Sequence, residues 1–112
     1  MINLKDETLE MLEGYAYTVE DIEWVGSEEY EIPVDRFFEL ADQEYDNGYG
    51  SEKVCTDLVI SMKDGSWFER DNYDGSEWWK HMAPTRRPKK RMDNVKTVFS
   101  KGYDTWLGEC NV

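Results

Sequence analysis

Few residues in this sequence stand at spacings that do chemistry. His81 is the single histidine, and no recognisable nucleophile motif accompanies it, so general acid–base or nucleophilic catalysis lacks its second member. Asp42, Glu44 and Asp46 alternate in "DQEYDNGYGSEK" as oxygen ligands of a calcium loop do. The glycine nevertheless falls one position late, and Lys53 stands where the bidentate acid belongs. Gly48 and Gly50 offer no phosphate loop, because the lysine and hydroxyl of that motif are missing and the surrounding charge repels phosphate. Cys55 and Cys110 have no short spacing and no neighbouring ligand, and they read as free thiols of a reducing compartment. The expectation is a protein without catalytic residues, metal or cofactor.

Charge is the unusual property. The 112 residues carry 25 acids against 13 bases, a formal net charge of −12. Residues 1–54 hold 16 of the acids and three bases, Lys5, Arg36 and Lys53. The second half is close to neutral, and six of its bases (Lys80, Arg86, Arg87, Lys89, Lys90 and Arg91) fall in "KHMAPTRRPKKR" with no acid among them. That run could contact phosphates, with aromatic neighbours stacking on bases. Long-range repulsion from the rest of the chain opposes direct DNA binding, so the run reads instead as balancing the acidic face or docking onto an acidic or RNA-bearing partner.

Aromatic residues make up 14% of the chain, which a disordered acidic segment would lack, so a folded core is expected. The length fits a single domain over 1–112, with an acidic helical half, 1–54, and a β half, 55–112, that carries a basic loop at 84–92. The N-terminus has acids where a signal peptide needs bases, and no stretch approaches a membrane span, so the expected location is the cytoplasm.

The elements that must position these side chains follow from periodicity. Asn3 caps a helix over 4–13 whose stripe is Leu4, Thr8, Leu9, Met11 and Leu12, with Gly14 as its stop. Thr18 to Asp21 suits one helical turn, and Ile22, Trp24 and Val25 then begin a strand. Pro33 opens a helix over about 34–45, with Val34, Phe37, Phe38, Ala41 and Tyr45 inward and Asp35, Glu39, Asp42 and Glu44 outward. "VCTDLVISM", "SWFERDN" and "EWWKHM" read as a β-meander. A three-residue loop with Gly65 left-handed pairs Ile60 with Phe68 and keeps the apolar side chains on one face. Trp78 and Trp79 then point opposite ways, one into the core and one outward. "NVKTVFS" offers a fourth strand. The fold class expected is α+β, with N-terminal helices packed on a three- to four-stranded antiparallel meander.

At "YDNGYG", "KDGSWFER" and "YDGSEWW" the sequence resembles a group of small uncharacterised proteins encoded by phages and prophages of Gram-positive bacteria. The resemblance covers about residues 30–82 and carries no catalytic residues. Its shared positions are Tyr45, Asp46, Gly48, Tyr49, Gly50, Trp67, Glu69, Arg70, Tyr73, Asp74, Gly75, Ser76, Glu77 and Trp79. It implies a genetic setting in which small acidic proteins often inhibit host machinery, anti-CRISPR proteins and other DNA mimics included.

Charge and setting together point to a protein-binding inhibitor of a host nucleic-acid-binding protein. Glu28, Glu29, Glu31, Asp42, Glu44 and Asp46 are the candidate phosphate substitutes. Tyr49, Trp67, Tyr73 and Trp78 are the candidate ring anchors. A CRISPR effector, with basic PAM-reading and heteroduplex channels, is a fitting target. The competing expectation is a phage accessory or structural protein that self-associates through the "SWFER" and "SEWW" strands.

Overall fold

The computed structural model describes residues 1–85, 87–100, 102 and 106–112. Strand β1 (Ile2–Asn3) runs directly into helix α1 (Leu4–Gly14), whose first turn is capped by the Asn3 side-chain oxygen accepting from the Asp6 amide at 3.1 Å. Gly14 is the last helical residue rather than the stop. The reversal is made by Ala16, at φ 62°, with the Tyr17 amide donating to Leu12 O and the Ala16 amide to Glu13 O. This is a Schellman termination with alanine where glycine is favoured.

A single 3₁₀ turn (Val19–Asp21) follows, held by the Thr18 amide donating to Asp21 Oδ2 at 2.8 Å, and leads into β2 (Ile22–Gly26). A tight return gives β3 (Glu31–Ile32), then α2 (Val34–Ala41) and β4 (Glu44–Tyr45). The second half supplies β5 (Val59–Met62), β6 (Trp67–Tyr73), β7 (Ser76–Met82) and the short α3 (Leu107–Cys110). Five strands form one antiparallel sheet in the order β3-β2-β5-β6-β7, and β1 pairs with β4 in a separate two-stranded sheet. The fold is therefore α+β. The acidic half is not only helical, because β2 and β3 widen the meander at its β5 side.

Both hairpin turns follow their glycines. Gly65, at φ 90°, closes the three-residue loop that pairs Ile60 with Phe68. Asp74 and Gly75, at φ 49° and 87°, form a two-residue turn of the mirror-image type that matches strand twist. Alternation then sorts the sheet into two faces. Val25, Ile60, Phe68 and Trp79 lie in a core closed by Leu12 of α1 and by Phe37 and Ala41 of α2. Phe68 is fully buried, which contributes roughly 1.5–3 kcal/mol. Trp79 reaches α1, donating from Nε1 to Thr8 Oγ1 at 3.0 Å, while that hydroxyl donates to Leu4 O at 2.7 Å.

Two expectations are corrected. Helix α2 ends at Ala41 rather than near 45: Asp42 leaves the helical region at ψ 67°, and Tyr45 is drawn into β4 instead. Asp42 and Glu44 therefore do not sit on a helix face. The segment 94–100 is not a strand among the described residues. Its backbone at Lys96 and Thr97 is met by the Asn111 side chain, whose Oδ1 accepts from both amides at 2.7 and 3.1 Å. Arg86 of the basic run and residues 101 and 103–105 of the C-terminal segment lie outside the described residues.

Candidate interaction surface

The residue that organises this half of the molecule is Arg70. It follows Phe68 in the same alternation phase and so enters the core face of β6, where it is buried over the Trp79 ring at 4.8 Å. A buried guanidinium needs partners. Its Nη2 donates to Glu77 Oε1 at 2.9 Å and to the Tyr45 hydroxyl at 3.1 Å, and its Nη1 lies 3.5 Å from Glu7 Oε2. Nε has no partner among the described residues. The Tyr45 hydroxyl in turn donates to Glu7 Oε1 at 2.5 Å. Burial and that carboxylate push the Tyr45 phenol up to about 12, against the opposing effect of Arg70.

Glu77 extends the network outward, accepting from the Lys53 and Val54 amides at 2.7 and 3.1 Å. Desolvation would raise its carboxyl, but the amides and Arg70 outweigh it and hold the group below its usual range. The network thus ties α1, β4 and the 53–54 backbone to the β6–β7 hairpin.

Above this network the loop 46–50 lies on the hairpin tip. The Glu77 amide donates to Asn47 O at 2.9 Å, and Asp46 Oδ1 accepts from the Gly48 amide at 3.0 Å. A β-carbon on Gly75 would lie 3.4 Å from both the Tyr49 α-carbon and the Gly50 nitrogen, so two backbones meet here. "YDNGYG" and "YDGSE", far apart in sequence, form one contact. Tyr49 and Tyr73 flank it with 78% of each residue exposed.

The second component is the sheet face turned away from the helices. Pairing across β2, β5, β6 and β7 aligns Trp24, Ser61, Trp67 and Met82 in one row, and Asp71 opposes Trp78 in another. Trp67, Tyr73 and Trp78 therefore share this face with Glu69 and Asp71. Trp67 Nε1 donates to Glu69 Oε1 at 3.2 Å, and Lys80 Nζ lies 3.8 Å from Asp71 Oδ2.

Not all candidate acids join this surface. Glu28, Glu29 and Glu31 are exposed at the β2–β3 return, on the opposite edge of the sheet. Four strand spacings, about 19 Å, separate β3 from β7. Asp42 and Glu44 lie beside β1 on the helix side, where Asp42 Oδ1 accepts from Asn3 Nδ2 at 3.0 Å. Asp46 alone of the six adjoins the ring-bearing tip. Sequence reasoning missed Trp24 as a member of the outer face and missed Arg70 as the organiser. The signal for Arg70 was its phase with Phe68, opposite Trp79 and near Glu77.

At the far end of the hairpins is a second polar group. Tyr17 donates to Asp64 Oδ2 at 2.5 Å and lies 2.9 Å from Ser66 Oγ, while Asp64 Oδ1 accepts from the Ser66 hydroxyl and amide at 2.6 and 2.9 Å. The bonds from Ser66, then that from Tyr17, hold the Asp64 carboxyl down at about 2. His81 packs 4.5 Å from the Tyr15 ring and 4.9 Å from Phe68, its buried Nε2 unpartnered among the described residues. The histidine is thus set among rings.

A cavity of about 290 Å³, lined by Leu4, Phe37, Leu40, Val54 and Leu58, opens beside α2 and is apolar throughout most of its wall. Among the described residues, no group of three His, Cys, Asp or Glu side chains is placed to hold a metal, and no helix is long and apolar enough to cross a membrane. Cys55 is a free, exposed thiol, and Cys110 is buried. Comparison with protein-family models, curated proteins and solved structures finds no match to this chain.

Proposed function

We propose that this domain is a non-catalytic inhibitor, phage-encoded as the resemblance implies, that binds a basic nucleic-acid-handling protein of a bacterial host. The target class is a CRISPR effector of the Cas9 type, and the action is occupation of a phosphate-binding cleft in the manner of a DNA mimic. The observation that carries this reading is the grouping of Trp67, Tyr73, Trp78 and Tyr49 with Asp46, Glu69 and Asp71 on backbone braced from behind by Arg70. Carboxylates on a rigid support compete with phosphates for Lys and Arg, and rings beside them supply the desolvated anchors that charge alone does not. Glu28, Glu29 and Glu31 contribute a second acidic patch that steers encounter from the other edge.

The test is nuclease-treated affinity capture from bacterial lysate expressing such an effector, at low and moderate salt. Recovery of the effector, weakened by salt and by the Asp46→Lys, Glu69→Lys, Asp71→Lys triple variant, supports the mimic. Failure to recover any basic nucleic-acid protein overturns it. A second reading, self-association of a phage accessory protein, is favoured by one observation, the open edge of β7.

A further inference from the structure

The last strand of the sheet ends without a neighbour. In the β6–β7 hairpin, Tyr73 with Ser76, Asp71 with Trp78, Glu69 with Lys80 and Trp67 with Met82 exchange their backbone bonds inward. Glu77, Trp79 and His81 consequently direct their amides and carbonyls outward. The Glu77 amide is taken by Asn47 O, so the loop 46–50 covers the tip end of this edge. The amides of Trp79 and His81 have no backbone partner on that side among the described residues. β7 is seven residues long and holds no proline, and Lys80 is its only charge of the kind that discourages strand addition.

We infer that this edge accepts residues 94–100 of a second copy of the chain as an added antiparallel or parallel strand. "NVKTVFS" is also seven residues and alternates as a strand does, with Val95, Thr97 and Phe99 against Lys96 and Val98. Yet Val98 and Phe99 are 75% and 78% exposed, and a side chain, Asn111, stands where a strand partner is missing. Apolar groups would meet apolar groups on either face of the extended sheet: exposed Tyr15 against His81 on the helix side, Trp78 and Met82 on the other.

Charge and chain direction name the occupant. Residues 1–82 carry 22 acids and six bases, and residues 83–112 carry three acids and seven bases, so a body of −16 faces a tail of +4. Such a pair attracts across two copies. Among the described residues no tail strand pairs with this edge, and a β-carbon at Gly65 would lie 3.9 Å from the Pro84 side chain, so the chain starts its exit from β7 over the β5–β6 turn. Pro84 and Pro88 stiffen the exit. The molecule is correspondingly elongated, 54 Å long against 32 and 28 Å.

The experiment is sedimentation velocity of the full chain across a wide concentration range, with Val98→Pro as the variant. Proline removes a strand amide at an exposed site, so thermal melting of the body should not move. The expected result is a concentration-dependent dimer whose dissociation constant rises about tenfold or more in the variant. Val98→Asp, which keeps the amide but places a charge in the new sheet, should weaken the dimer in the same direction. A wild-type chain that stays monomeric throughout overturns the inference, as does a dimer unaffected by both variants. A monomer whose Trp79 and His81 amides resist hydrogen exchange also overturns it, by showing that the edge is already filled within one chain.

Discussion

The two acidic regions of this protein are built differently. Asp46, Asp74 and their tyrosines stand on backbone clamped from three directions: by Asn47 to Glu77, by the Gly75 contact, and by the buried Arg70 network beneath. Glu28 and Glu29 stand on, and Glu31 directly follows, a four-residue return held by the Ser27 amide donating to Tyr30 O at 2.8 Å and by the Ser27 hydroxyl. Under the proposed binding role, the comparison teaches where specificity would reside. Charges on a light support steer association, whereas rings and charges on a pre-ordered support lose little entropy on binding and set the lifetime of the complex.

The strongest way to break the comparison is Arg70→Ala. It leaves Glu77 buried and short of its cation, and should cost about 3–5 kcal/mol in urea unfolding, loosening the tip and leaving the β2–β3 return as the sturdier region. Gly26→Ala strikes the other region. A β-carbon there would lie 2.1 Å from Tyr30 O, so the return must open, at about 2 kcal/mol or more, read as a lowered melting temperature with the tip intact. Gly75→Ala is the matching change at the tip. At φ 87° it should cost about 1–2 kcal/mol and shift the loop 46–50.

Two smaller effects sharpen the contrast from outside both regions. Ala16→Gly relieves the left-handed residue after α1 and should stabilise the fold by roughly 0.5–1 kcal/mol, with target binding unchanged. Acid titration separates the polar groups. Asp64 falls from its usual 3.8 to about 2 on folding, so its contribution is complete above 3.8 and is lost as pH falls toward 2. Tyr45, raised from 10.0 to about 12, contributes fully below 10.0 and loses that contribution as pH rises through 12. Stability measured against pH in the wild type and in Asp64→Asn checks the acid limb: the variant should show the weaker acid dependence.

Much of the β half was legible because its signals are local. Two Asp-Gly pairs with flanking alternation fix both turns, and avoiding a wasted buried face chooses the Ile60 and Phe68 register. What escaped was decided at long range. The stop of α2 at Ala41 has no glycine or proline to announce it; Tyr45 leaves helical phase because Glu7 and Arg70, 38 and 25 residues away in sequence, and its pairing with Ile2 of β1 hold it elsewhere. The strand pair β2 and β3 was half visible, since Ile22, Trp24 and Val25 read as apolar, but Gly26 shows its role only once Tyr30 O lies against it. The candidate rings and the candidate acids differ in how the fold arranges them. Alternation places Trp67, Tyr73 and Trp78 on one face, whereas exposed carboxylates obey no period and scattered to both edges of the sheet.

The most direct test of the acid-and-ring surface is competition. A fluorescent DNA duplex bound to a Cas9-type effector would be titrated with wild-type protein, with Tyr73→Ala and with Glu28→Lys, Glu29→Lys, following anisotropy at fixed salt. The account predicts that wild-type protein displaces the DNA, that Tyr73→Ala loses about 2 kcal/mol, roughly thirtyfold, and that the double lysine variant chiefly slows association. Absence of displacement by wild-type protein, or equal displacement by wild type and Tyr73→Ala, would contradict it.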